Sequence, residues 1–475
     1  MGGACAVSLG RRDGDKQQDL WIATHKIVRP AGHPFYAALN RRLARAGFDR
    51  WVEQLCEPYY ADGVGRPSIP PGVYFRMLMV GYFEGIGSER GIAWRCSDSL
   101  ALREFLGVSL TDSTPDHSSM TRIRQRLPLG AYREVFSFVH RIARQEDLLS
   151  GKTLGIDATT LEANAAMKSI VRKDTGGDWT EYVKGLMAQE DEGHGSDEDA
   201  RRFDRRRPGK KVSNRDWESP SDPDARITKM KDGRTHLAYK AVHAVDMDSE
   251  VIVAAEVEPA DRGDAQMLIE QVEKAQDNLF EADVTPEVKE VVADKGYHKG
   301  EVLAACAVRR VRTYIPERKA ARRRRWKGKP AGCQEAVYAN RRRAMSARGR
   351  RLQRRRSELL ERSFAHVCET GGARRTHLRG LEPIRKRYLI HAAAHNLSVV
   401  MRKVFGHGKP RALQGLSSAL LRALWPVQRL LEGLLRITCP TRAHSLGPAP
   451  IRVARLICTP QAAMMPQYTP SSTGC

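Results

Sequence analysis

Lys152–Ala163, KTLGIDATTLEA, is the stretch on which the reading of the fold turns. Leu154, Ile156 and Ala158 fall on one side of a period-2 pattern, with Gly155, Asp157 and Thr159 on the other, which is the alternation of a strand. One carboxylate, Asp157, therefore sits in the middle of a run that reads as buried. A charge at that depth is costly unless a metal ion or a cation pairs with it. The other reading of Asp157 is an edge-strand residue capping a turn. Convergence of further carboxylates on the same place decides between the two.

Downstream, His236–Asp246 and Val251–Val257 read as strands joined by a hairpin turn at Asp246–Ser249, a turn that Asp246 and Asp248 suit. Ala265–Leu279 has helical period, and Val288–Ala293 is a short buried strand ending in Asp294-Lys295-Gly296-Tyr297. A helix, Lys299–Ala307, and a strand, Val311–Ile315, follow. This order predicts a mixed α/β sheet flanked by helices, in which Asp157 and Asp294 meet if their strands are neighbours. Between Asp157 and the hairpin lie about seventy polar residues, including an acidic tract, Glu190–Asp199, and a basic one, Arg201–Lys211. A loop that long is uncommon inside a compact domain, so it reads as an insertion or a partly disordered excursion.

Upstream the pattern is helical. Pro34–Leu55 is amphipathic at helical spacing, and Val73–Phe83 is almost wholly apolar, the expected core of a helical domain. Ser88–Arg95, Leu100–Leu106, Met120–Leu127 and Tyr132–Gln145 read as further helices, the third carrying Arg122, Arg124 and Arg126. Short helices ending in an Arg-bearing one fit either a helix-turn-helix reader or a plain bundle with a basic face.

The chain has 80 Lys and Arg against 56 Asp and Glu, a formal charge of +24, which favours a polyanionic partner such as nucleic acid. The nine cysteines are scattered with no CxxC pair, so neither a zinc framework nor a dense disulfide scaffold is expected. With no signal-peptide pattern and no apolar run approaching a membrane span, a soluble, reduced, intracellular protein is expected. From Arg309 to Arg356 there are twenty Lys or Arg and two acids, Glu317 and Glu335. A run so lopsided, with clusters at Arg322, Arg323, Arg324 and Arg325, at Arg341, Arg342 and Arg343, and at Arg354–Arg356, suggests an external anion, with Trp326 able to stack on a base. A disordered basic linker is the alternative. Ser357–Val367 then reads as a helix offering Glu358 and Glu361.

Taken together, GIDATTLEANA at Gly155–Ala165, ADKGY at Ala293–Tyr297, ERSFAH at Glu361–His366 and TGGARR at Thr370–Arg375 resemble the DDE-type transposases of bacterial insertion sequences. GRPSIPP at Gly65–Pro71 and DHSSMTRIRQRL at Asp116–Leu127 are similar to that group's N-terminal helical domain, and Asn396 to its closing helix. The likeness runs in order from about Trp21 to Gly406. It implies an RNase H-like catalytic fold with Asp157, Asp294 and Glu361 as the carboxylate triad, 137 and 67 residues apart. It also implies two Mg²⁺ ions, or Mn²⁺, and double-stranded DNA partners: element terminal repeats and target DNA. A homodimer in the synaptic complex and a cytoplasmic, nucleoid-associated location are expected with it. The chemistry agrees: two hard cations about 4 Å apart activate a water or 3′-hydroxyl and stabilise the leaving oxygen, and such ions take oxygen ligands.

The sequence departs from the group's Tyr-x2-Arg-x3-Glu-x6-Lys pattern. Ser357 stands four residues before Glu361 and Cys368 seven after it, so Glu358 is the alternative third carboxylate. The cation near the scissile phosphate falls to Arg355, Arg362 or Arg374. Glu162 reads as an exposed strand-end acid, and His391 and His395 as helix-face histidines. The expected layout is a polar lead (1–30), a helical DNA-binding domain (31–147), a catalytic domain (150–406) with the insertion at 166–235 and the basic segment at 309–356, and a variable tail (407–475). An inactive DNA-binding remnant and a hydrolytic nuclease without strand transfer are the rival functions.

Overall fold

The computed structural model describes residues 33–61, 68–190, 195–207, 212–230, 233–284, 287–318 and 326–413. The polar lead, Arg322–Arg325 and the tail beyond Leu413 lie outside these residues. The described residues fall in one compact unit.

Among the described residues seven α-helices come first: α1 (Pro34–Arg45), α2 (Phe48–Cys56), α3 (Pro71–Glu84), α4 (Glu89–Asp98), α5 (Leu100–Leu106), α6 (His117–Arg126) and α7 (Leu129–Gln145). The expected single helix over 34–55 is two, because Gly47 adopts φ +69° and turns the chain. α3 is buried along nearly its whole length. Its Arg76, 3% exposed, is satisfied by both Asp49 oxygens, Asn40 and the Phe105 carbonyl, which is what makes a buried guanidinium tolerable.

The sheet is built from β1 (Thr153–Glu162), β4 (Arg226–Lys229), β5 (Thr235–Asp246), β6 (Ile252–Pro259), β7 (Glu290–Ala293) and β8 (Arg312–Tyr314). β5 pairs antiparallel with β1 on one edge and with β6 and β4 on the other. β1 pairs parallel with β7, and β7 with β8. The mixed sheet is therefore the one expected, with β4 an addition to it. On one face α10 (Asp264–Glu281) and α11 (Gly300–Val308) cover a core containing Leu154, Ile156, Val242, Val291, Ala293 and Leu268. The opposite face receives α13 (Ala347–Phe364), which follows α12 (Cys333–Met345) and runs on into a π-helical turn, Ala365–Thr370.

The polar excursion has structure of its own. Two strands, β2 (Val171–Arg172) and β3 (Trp217–Glu218), pair beside α8 (Trp179–Gln189) and α9 (Asp197–Arg206). Val183, Met187 and Ala200 form a small core under Trp179, Tyr182 and Phe203. Its composition is polar because few side chains are needed to fill so small a core.

α14 (Leu381–Phe405) ties the parts together, packing on α3, α7 and β6. Its buried Asn396 accepts from the Ile252 N–H and donates to the Ile252 carbonyl, both at 2.8 Å, replacing a neighbouring strand at the edge of β6. Asn340 on α12 does the same for Ile315 at 3.0 and 2.7 Å. His391 and His395 on α14 are both buried.

Candidate active site

The site begins where β7 stops beside β1, which itself runs on to Glu162. In the parallel β1–β7 register Ile156 lies opposite Ala293, so the next residue on each strand is an aspartate, Asp157 and Asp294. Gly155 makes room for α13 above them: a Cβ there would meet Leu360 at 2.7 Å and the Met247 sulfur at 2.8 Å. The absent side chain lets the helix descend until Arg356 reaches the strand.

Asp157 is half-buried. Its Oδ1 accepts the Ala158 N–H at 2.9 Å and its Oδ2 accepts Arg356 Nη1 at 2.8 Å. Burial raises its pKa above the ordinary 3.8, the Arg356 charge and the Ala158 N–H oppose that, and the nearby Asp294 charge adds to it. Asp294 caps a 3-10 turn, Lys295–Tyr297, through a 2.7 Å bond from the Gly296 N–H to its Oδ1. Behind it Tyr297, 1% exposed, packs in the core, and its hydroxyl has no hydrogen-bond partner among the described residues. The Tyr297 pKa is pushed well above 10, first by burial, then by the charges of Asp157, Asp264 and Asp294.

Asp264 is an acid that the sequence pattern does not single out. It opens α10, is held by Lys240 at 2.9 Å, and approaches the Gly296 turn. Arg356 is equally inconspicuous in sequence, being one cation among twenty; only its contact distinguishes it.

Glu361 is exposed on α13 and has no ion-pair partner among the described residues. Counting about 100° per residue, Gln353, Ser357 and Glu361 follow at about 60°, 100° and 140° from Arg356 on one flank of the helix. Gln353 on that flank donates to the Ala293 carbonyl at 3.0 Å, beside Asp294. The other flank carries Arg355, bonded to Asp248, and Arg362, paired with Glu250 and with Glu358. By the same count Glu358 lies about 160° round the other way, so both acids point mostly away from the sheet and Glu361 is the one on the Gln353 side. Arg374 donates to Thr159 Oγ1 at 3.2 Å and the Thr160 carbonyl at 2.8 Å, just beyond Asp157 on β1. Arg375 lies 3.7 Å from Glu162.

Several cations read as DNA-facing make internal contacts. Arg124 pairs with Glu89 at 2.8 Å, Arg341 with Glu317 at 2.9 Å, and Arg343 donates to the Thr313 carbonyl at 3.1 Å. Arg122 and Arg342 are exposed. Trp326 packs against the sheet core beside Tyr338, its ring centroid 5.7 Å away. Asp246 accepts from the Ser150 and Gly151 N–H groups as well as from Asp248 in its turn.

Hard carboxylate oxygens suit Mg²⁺ or Mn²⁺, and Asp157 and Asp294 supply them side by side. A third protein ligand is not yet at the pair: among the described residues no group of three or more His, Cys, Asp or Glu is arranged to hold a metal ion. No helix among them is long and apolar enough to cross a membrane.

A family profile described as a transposase domain (DUF772) matches residues 26–126, and one described as a transposase DDE domain matches residues 195–397. The second match includes Asp294 and Glu361 and begins after Asp157, whose place in the site rests on the strand register. No curated protein matches the chain.

Proposed function

We propose, from the premise that this chain belongs to the DDE-type transposases of insertion sequences, that it cleaves and joins DNA strands at a site formed by Asp157, Asp294 and Glu361. The observation that supports this is the β1–β7 register, which sets Asp157, within β1, beside Asp294, just past the end of β7, under the helix that carries Glu361.

A phosphodiester is a poor electrophile ringed by negative charge, and divalent metal ions, when bound, activate the attacking oxygen and neutralise the leaving one. The chain's own groups do the placing. Asp157 and Asp294 hold fixed orientations because backbone N–H groups bond one oxygen of each. Glu361 closes the ligand set from α13, and Arg374, anchored on β1 beside Asp157 and paired with Glu369 at 2.7 Å, exchanges that carboxylate for a neighbouring phosphate. Duplex DNA is held through the helical N-terminal part and the basic segment, and the two element ends are brought together by two copies of the chain.

The test is a metal-dependent nicking and joining assay on plasmid carrying the element's terminal repeats. Wild type is expected to yield cleaved ends and strand-transfer product, and Asp157→Ala neither. Equal nicking by the two, or none by either, defeats the reading. Cleaved ends without any joined product would assign a hydrolytic nuclease instead.

A further inference from the structure

The two aspartates are together, yet the position between them and α13 is already served by a cation. Arg356 Nη1 lies 2.8 Å from Asp157 Oδ2, and the other Asp157 oxygen is taken by the Ala158 N–H. Asp294 has one oxygen on the Gly296 N–H and no bond on the other among the described residues. Asp157 Oδ2 is thus the oxygen of the pair that a side-chain cation holds, while one oxygen of each aspartate carries a backbone N–H.

We propose that Arg356 is a built-in counter-ion that holds Asp157 in the ion-free state and must leave Oδ2 before a divalent cation can bridge Asp157 and Asp294. This rests on the reading of Asp157 as a metal ligand. A half-buried carboxylate without a partner is costly, which gives the ion-free protein a reason to pair it internally. A fixed positive charge touching Asp157 also repels an incoming divalent ion, so the two occupants exclude each other. Arg356 makes two further bonds at the same time, which would keep it on its own helix once Oδ2 is released. Its Nε lies 3.3 Å from Gln353 Oε1 and its Nη2 3.3 Å from Ser357 Oγ, both on its own helix. Ser357 is on the same side of the helix as Glu361, so these contacts keep the guanidinium on α13 when it leaves Oδ2.

The test measures Mn²⁺ affinity of the full chain by electron paramagnetic resonance, with circular dichroism as the check on folding. Arg356→Gln is expected to bind Mn²⁺ at least about tenfold more tightly than wild type, the scale on which one adjacent opposite charge alters a carboxylate's proton affinity. Arg356→Lys, which keeps the charge, is expected to stay within a few-fold of wild type. A folded Arg356→Gln protein with unchanged or weaker Mn²⁺ binding overturns the proposal. If that variant does not fold, Arg356→Met, which keeps the stem packed on Gly155, carries the same expectation. Adding Asp157→Asn to Arg356→Gln is expected to abolish the gain. If the gain survives, the ion binds elsewhere, and the assignment of Asp157 as a ligand fails with the proposal.

Discussion

At the scale of single residues, the site separates groups that look alike in sequence. Glu361 and Glu358 are three apart on one helix, but Glu358 is paired with Arg362 on the flank away from Gln353. Glu361→Gln is therefore expected to abolish metal-dependent cleavage and Glu358→Gln to leave it within a few-fold of wild type, read in the same nicking assay. The reverse result would move the third carboxylate. Gly155 is a second discriminating residue. Valine there puts carbon against Leu360 and Met247 and lifts α13, costing about 1–3 kcal/mol by the usual scale of overpacking. A chemical-denaturation midpoint equal to wild type would show that the helix does not sit on the strand as closely as described. Asp157 was legible because alternation marks a lone acid inside a strand. Arg356 was not, because its role is a contact across 199 residues and not a pattern.

At the scale of elements, the sheet's edges are closed by asparagines on helices. Asn340 is fully buried and serves both backbone groups of Ile315. Asn340→Ala strands a buried donor and acceptor, so stability is expected to fall by about 2–6 kcal/mol, from about 1–3 for each orphaned group. A change under about 0.5 kcal/mol in denaturation would mean that water reaches this edge. The helices themselves were legible from apolar period, and their limits from caps such as Ser88 and Asp116. In two stretches tertiary contacts add what composition does not show. The polar excursion builds a small core, and the basic segment from Trp326 onward folds into α12 and α13, with Arg348 bound to Glu290 beneath the sheet.

At the scale of the whole molecule, charge and buried histidines set the response to solution conditions. With a formal +24, the proposed binding of duplex DNA is expected to weaken steeply with salt. Neutralising Arg322–Arg325 should flatten the slope of log affinity against log salt, and an unchanged slope places the phosphate contacts elsewhere. Burial pushes His140 down to about 4 and His243 down to about 3, from an ordinary 6.5. Both histidines are fully buried, and His140 Nε2–H donates to the Ile252 carbonyl at 2.9 Å. With the folded pKa below the unfolded one, the unfolded chain binds more protons between these values. Stability from this source is whole above about pH 6.5 and is lost as pH falls toward 4. The Tm at pH 5 is thus expected to lie below that at pH 7.5, and His140→Gln combined with His243→Gln should narrow the gap. A Tm that does not fall between those pH values would contradict the assignment.

By itself the sequence determined the mixed α/β class, the helical N-terminal part, the transposase family and the candidacy of Asp157 and Asp294. Each of these is written in local periodicity, net charge or short motifs, which survive without knowing what touches what. Only the tertiary structure decided that the two aspartates are neighbours, that Gly155 lets α13 descend on them, and that Arg124, Arg341 and Arg343 face inward partners. It also decided that one guanidinium, Arg356, holds Asp157. The physical reason is common to all of these. Strand register and helix rotation are set by packing between segments far apart in the chain, and a charge that looks free in sequence is free only until the fold brings it an opposite one.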